Sequence, residues 1–186
     1  MEDSLYKPTD PVLQLINKNF KQDKTGCIIL DKSVFKGPGI IKAYAPWCPY
    51  CSNKVDKINR LATLLNKQFN DQTVRMYTFN ANNAPIAQAI PAGSKEPLIP
   101  GYPSFLQVDP ERVVTRLKDI HSPSDAITKF CSSYPSLCTT NPTTQTGGGK
   151  KKSNPLLPGL FKSSNLTFNW DMDSNKGDQA VEKAFR

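Results

Sequence analysis

The sequence predicts an α/β domain, a central mixed sheet of four to five strands flanked by helices, with an extended C-terminal tail. Three observations predict it. Short apolar runs rich in Ile and Val recur between Gly- and Pro-bearing breaks, the pattern of buried strands. Cys51, Val55, Ile58, Ala62, Leu65 and Phe69 recur at steps of four and three, one face of a helix. After Cys138 the composition turns polar and aperiodic in "TTNPTTQTGGGKKKSNP".

Taken in order, "TDPVLQLINKNF" predicts a helix. Asp10 suits the N-cap and Pro11 the first turn, and Val12, Leu13, Ile16 and Phe20 follow at helical spacing. Residues 1–25 therefore read as an N-terminal helical extension. "CIIL" (27–30) predicts a buried strand. Gly37-Pro38-Gly39 breaks the chain, and a second strand starts at Ile40 and runs into "YAPWCPYC". The long helix follows. "TVRMYTFNA" predicts a third strand, "APIAQAIP" a short helix, "AGSKEPLIPG" a loop, "YPSFLQVD" a fourth strand and "ERVVTRLKD" a fifth. Asp109-Pro110 between the last two predicts a hairpin and antiparallel pairing. "SPSDAITKFCSSY" predicts a closing helix with Ile127, Phe130, Cys131 and Tyr134 inward. Mixed pairing, with helices on both faces, would cover such a sheet. Residues 26–138 form the domain and 139–186 the linker and tail. In the tail, "LLPGLF" and "LTFNWDM" are apolar islands too small to build a core.

The chain of 186 residues carries a formal charge of +8. Residues 1–138 hold 17 Lys/Arg against 12 Asp/Glu, and the excess lies on no long basic helix. Lys150, Lys151 and Lys152 make a cluster too short for a nucleic-acid site, so nucleic acid is not an expected partner. No stretch approaches the ~20 apolar residues that span a bilayer. "MEDSLYKPTD" lacks a signal's charged start and apolar run, which by default predicts an intracellular, cytoplasmic location. There a C-x-x-C pair more often does chemistry or binds metal than forms a structural disulfide.

Cys48 and Cys51 are such a pair. The helical stripe makes Cys51 part of the buried face. Cys48 falls at the strand-to-helix junction, where backbone N–H groups lack intrahelical partners and the dipole favours an anion. A thiol so placed falls from about 8.5 towards the range of roughly 3.5–7.5. Pro49 suits the first turn because it has no N–H to lose. One exposed, activated sulfur with another packed behind it is what two-step exchange needs: Cys48 attacks a disulfide and Cys51 resolves the mixed disulfide. A structural zinc would want four ligands, and no second C-x-x-C or histidine pair exists; His121 is the only histidine. No metal and no cofactor is expected. Two thiols retained on a chain that keeps only the fold is the bland alternative.

"YAPWCPYC" on a strand–turn–helix, followed later by "GYPSFLQV", resembles the thioredoxin superfamily, and most of all thioredoxin and protein disulfide isomerase domains, with a glutaredoxin-type Cys-Pro-Tyr-Cys motif. The resemblance covers roughly residues 26–134. It implies a thiol–disulfide oxidoreductase acting on protein substrates, with Cys48 and Cys51 catalytic. It places Trp47, Pro49 and Tyr50 beside the nucleophile. It also implies a cis peptide bond between Tyr102 and Pro103, facing the cysteines where the substrate chain is held. Ala45-Pro46-Trp47 and Gly101-Tyr102-Pro103 stand where glutaredoxins carry their glutathione-gripping residues, so a protein disulfide is the expected substrate. Lys42, six residues before Cys48, stands where the family usually has a buried Asp or Glu. A charged lysine there would favour the Cys51 thiolate and shift the pair towards oxidant behaviour.

The other cysteines read as structural. Cys27 and Cys131 read as small buried hydrophobes. A Cys131–Cys138 disulfide is conceivable, but Pro135 and a reducing compartment argue against it. The competing functional class is a structural or adaptor protein that uses such a domain as a brick and residues 155–186 as an arm docked on a partner or large assembly. Large cytoplasmic DNA viruses encode thioredoxin-like proteins and build capsids with strap-like minor components, so a virion protein is a concrete version.

Overall fold

The computed structural model describes residues 4–68 and 74–138. Phe69, the linker and the C-terminal arm lie outside the described residues. Seven strands form one mixed sheet, not four or five: β1 (Leu13–Leu15), β2 (Phe20–Gln22), β3 (Ile28–Leu30), β4 (Gly39–Tyr44), β5 (Arg75–Asn80), β6 (Ser104–Val108) and β7 (Val113–Arg116). Their order across the sheet is β1-β5-β4-β6-β7-β3-β2. Among the described residues three α-helices accompany them: α1 (Pro49–Ser52), α2 (Val55–Gln68) and α3 (Pro123–Ser133).

The two extra strands come from the segment expected to be helical. Leu13, Gln14 and Leu15 pair in parallel with Tyr77, Thr78 and Phe79 of β5, and Phe20–Gln22 pairs with β3. The predicted cap does other work, since the Asp10 carboxylate accepts the Lys7 N–H at 2.8 Å and closes a local turn. Asn19 then accepts the Ile16 N–H at 2.8 Å, turning the chain between the two strands. Helical spacing was present, but the open edge of β5 offered backbone partners, and tertiary pairing overrode the weak local preference. Residues 4–25 thus hold no α-helix; two short strands of this segment join the sheet, with a 3₁₀ turn (Asn17–Asn19) between them.

β4, an interior strand, is buried along all six residues. It runs parallel to β5 and antiparallel to β6. Gly39 opens it because a Cβ there would collide with the Arg75 backbone. Ile40 and Tyr44 face one side; Ile41 and Ala43 face the other. On the first side lie Ile58, Leu61, Ala62 and Leu65 of α2 together with Ala126, Ile127 and Phe130 of α3. The second side is not covered by an α-helix among the described residues. Ala84, Ala87, Leu98 and Ile99 pack there instead, from a 3₁₀ turn (Pro85–Gln88) and the loop after it. Pro85, Pro91, Pro97 and Pro100 remove the donors a longer helix would need.

The hairpin is as expected. β6 and β7 pair antiparallel, and the Asp109 carboxylate accepts the Val113 N–H at 2.7 Å across the turn. α3 starts on a capping box, in which Ser122 Oγ accepts the Asp125 N–H and Asp125 accepts the Ser122 N–H.

Candidate active site

β4 delivers the chain to the cysteines. After Tyr44, the Cys48 N–H donates to the Ala45 carbonyl at 3.1 Å, a turn that puts Cys48 at the N-cap of α1. Pro49 takes the first helical position, and the Cys51 N–H returns to the Cys48 carbonyl at 3.0 Å. The helix is shorter than the stripe predicts. α1 ends after Ser52, and Asn53 and Lys54 form a turn before α2 resumes the stripe at Val55. Ser and Asn bond readily to nearby backbone, which makes them weak helix interiors. Four residues carry little of a helix dipole, so the N-terminal position of Cys48 is a smaller electrostatic asset than a long helix would supply.

Both thiols are free, and the Cys51 thiol is in hydrogen-bond contact with the Cys48 sulfur. Cys51 is fully buried, as expected. Cys48 is not the open nucleophile expected from the sequence, since it is only 4% exposed. The burial has a local cause: Cys48 belongs to the same apolar cluster as Ala45, Cys51, Phe105 and Tyr44. The exposed surface beside it is aromatic. Trp47 is 66% and Tyr50 73% exposed. Trp47 donates from its indole N–H to Asn82 at 3.0 Å and meets Tyr102 edge-on at 5.7 Å. Tyr102 donates to the Ala81 carbonyl at 2.8 Å. The Tyr102–Pro103 peptide is cis. Tyr102 packs against the cluster that holds both cysteines, and burial raises its phenol, with Cys51 adding to that rise.

Behind the sulfurs lies Lys42, fully buried on β4. Its Nζ donates to the Cys51 carbonyl and to the Tyr6 hydroxyl, each at 3.0 Å. Burial lowers the Lys42 ammonium to about 8, against an opposing pull from Cys51. Burial likewise pushes the Cys51 thiol up to about 12; the hydrogen bond to Cys48 adds to this, while the Ala45 backbone and Lys42 oppose it. Any pull of Lys42 on Cys51 is thus smaller than the rise that burial causes.

Two features were not read from the sequence. Tyr6 joins the site from the far N-terminus, and no local signal announces it. Cys131 and Cys138 form a disulfide, with Cα atoms 5.6 Å apart. Pro135 does not prevent it; it opens a 3₁₀ turn (Pro135–Leu137) that brings Cys138 back onto α3. Cys27 is half-buried and free. His121 lies on the surface, where its carbonyl accepts Lys54 at 3.2 Å.

No protein-family profile matches the chain, and no curated protein matches it in sequence. Among solved structures it is similar to the first thioredoxin domain of mouse protein disulfide-isomerase A4, at 19% identity and a TM-score of 0.39 over 73% of this chain and 89% of that one. It is also similar to the Trx4 domain of ERdj5, at 20% identity and a TM-score of 0.43 over 69% and 96% of the two chains. Thioredoxin F from spinach chloroplast, in its long form, aligns at 15% identity and a TM-score of 0.40 over 69% and 87%. Within a mixed α/β fold, β4 leads into the Cys48–Cys51 pair, α1 and α2 follow it, and the cis Tyr102–Pro103 peptide stands just before β6, the order of elements that the resemblance implies.

Proposed function

We propose that the chain is a thiol–disulfide oxidoreductase that exchanges disulfides with protein substrates through Cys48 and Cys51. The observation that carries this reading is the contact between two free sulfurs, one at a helix N-cap beside exposed aromatics and the other one turn deeper. In the reducing direction, the Cys48 thiolate attacks one substrate sulfur, forming a mixed disulfide and releasing the other as a thiolate. Cys51 then gives up its proton and attacks the Cys48 sulfur. The second substrate thiol leaves, and Cys48–Cys51 becomes a disulfide. Two electrons pass to the substrate, and its two sulfurs take up two protons. The oxidising direction is the reverse.

Trp47, Pro49, Tyr50, Tyr102 and Pro103 would form the surface that receives the substrate chain. Lys42 would tune the resolving sulfur from behind. The slight exposure of Cys48 implies that its access is narrow, so extended disulfide-bearing segments fit better than folded surfaces. We place the protein inside the cell, in the cytoplasm or in a virion; burial of both Cys131 and Cys138, each 2% exposed, would shield their disulfide from reductants there.

A second reading is favoured by that same slight exposure: a structural or adaptor component whose domain serves as scaffold and whose residues 155–186 dock on an assembly. Insulin reduction separates the two. The wild type should reduce insulin disulfides, Cys48→Ser should lose turnover by at least about a hundredfold, and Cys51→Ser should accumulate a mixed disulfide at Cys48. A wild type with no more turnover than Cys48→Ser would favour the scaffold.

A further inference from the structure

The inner side of the dithiol is closed by the N-terminal segment. Tyr6 is only 2% exposed, although it lies in a polar stretch of sequence. Its ring meets Tyr44 edge-on at 5.3 Å and lies 5.5 Å from Lys42 Nζ. The segment is tied down on both sides of Tyr6. Ser4 Oγ bonds the Tyr44 hydroxyl at 2.9 Å and accepts the Tyr6 N–H at 3.2 Å. Gln14 of β1 donates to the Lys7 carbonyl at 2.7 Å. Leu5 and Val12 add apolar contact to the cluster that contains both cysteines.

We propose that residues 4–12 are a working part of the dithiol site: Tyr6, through its hydroxyl on Lys42 Nζ, holds the lysine charged against the Cys51 backbone and so keeps a positive charge behind the two sulfurs. Tyr6 is a positioning residue that acts through Lys42. The proposal deepens the oxidoreductase reading and rests on it for its purpose, though not for its test.

The chemistry follows from counting donors. Lys42 has two acceptors among the described residues, the Tyr6 hydroxyl and the Cys51 carbonyl. A neutral amine satisfies both with its two N–H bonds, so the third proton of the ammonium is committed to neither. Each acceptor nevertheless favours the charged form, because hydrogen bonds to an ion are stronger than those to a neutral donor. Removing one acceptor from a fully buried ammonium tips it towards the amine. A neutral Lys42 leaves no positive charge behind the two sulfurs.

The ionisable groups facing Lys42 are few. Tyr6 comes from the N-terminal segment, with Asp10 adding to its electrostatic surroundings. Cys48 and Cys51 come from the start of α1, and Lys54 from the turn after it. The residues that α3 turns towards this cluster (Ala126, Ile127, Phe130) are apolar. Thr78, the register partner of Lys42 on β5, has a buried Oγ1 without a hydrogen-bond partner among the described residues, so it does not replace Tyr6.

The test is the titration of Lys42 in the reduced full chain, read by isotope-edited NMR of the lysine ε-carbons, with the Lys42 signal assigned by its loss in Lys42→Met. It needs no substrate. Tyr6→Phe keeps the ring and removes the hydroxyl; it should cut the ratio of ammonium to amine at Lys42 at a given pH by about threefold to tenfold. A Lys42 that titrates in Tyr6→Phe as it does in the wild type, or that titrates in the wild type like an exposed lysine, would overturn the proposal. A wild type inactive on insulin would instead sink the oxidoreductase reading and leave this titration readable.

Discussion

Two cysteine pairs share one apolar cluster on the same side of the sheet, yet one is a pair of thiols and the other a disulfide. Burial does not separate them, for Cys48, Cys51, Cys131 and Cys138 are all nearly inaccessible. What separates them is their company. Cys131 sits among Ile127, Phe130 and Leu137, and the bond closes the end of α3 on itself. Cys48 and Cys51 lie between exposed aromatics on one side and a buried lysine on the other. Sulfurs already bonded to each other have no thiolate to offer, whereas the free pair lies beside exposed aromatics and a buried lysine.

That contrast can be sharpened by removing one member of each pair. Cys138→Ser opens a short loop at the end of the domain and should cost about 2–3 kcal/mol of stability in chemical denaturation. Insulin turnover should survive. A Cys138→Ser protein that folds but is inactive would join the two pairs into one mechanism and break the comparison.

A smaller effect should come from the lysine. Because burial lowers Lys42 from 10.5 to about 8, the folded state binds fewer protons than the unfolded chain between these values. Stability from this group therefore rises with pH across that window, and the buried charge is a burden below it. Cys51 acts in the opposite sense. Raised from 9.0 to about 12, it keeps its proton in the folded state, so its contribution is present below pH 9 and lost as pH climbs towards 12. Lys42→Met should thus be more stable than the wild type by about 1–2 kcal/mol at pH 7, after the loss of two hydrogen bonds is set against the removed charge. The gap should narrow from pH 8 upward. A gap that stays constant with pH would mean that Lys42 is not titrating as its burial implies.

Much of this arrangement was legible in the sequence. "CIIL", "IIKAY", "VRMYTFN" and "SFLQV" are β-rich runs between breaks, and each became a strand. The stripe from Cys51 correctly put that sulfur inside. Legibility failed where a distant partner decided the outcome. Asp10-Pro11 is a good local cap, but pairing with β5 made a strand of Leu13–Leu15 and pairing with β3 made one of Phe20–Gln22. The burial of Cys48 could not be read from its helix position, because it comes from the cluster that Cys48 joins with its neighbour Ala45 and with Phe105 of β6. Tyr6 meets Lys42 across 36 residues of sequence, and no periodicity carries such a contact.

The central claim is that the two pairs differ in redox reactivity, with Cys48–Cys51 the one that cycles. It is tested most directly by equilibrating the native full chain against a series of glutathione ratios, alkylating the free thiols and mapping them by mass. The account predicts that Cys48 and Cys51 become protected together and reversibly as the buffer turns oxidising, while Cys131 and Cys138 stay protected throughout. Thiols at 48 and 51 that never pair across the series, or a 131–138 bond that opens before theirs, would contradict it.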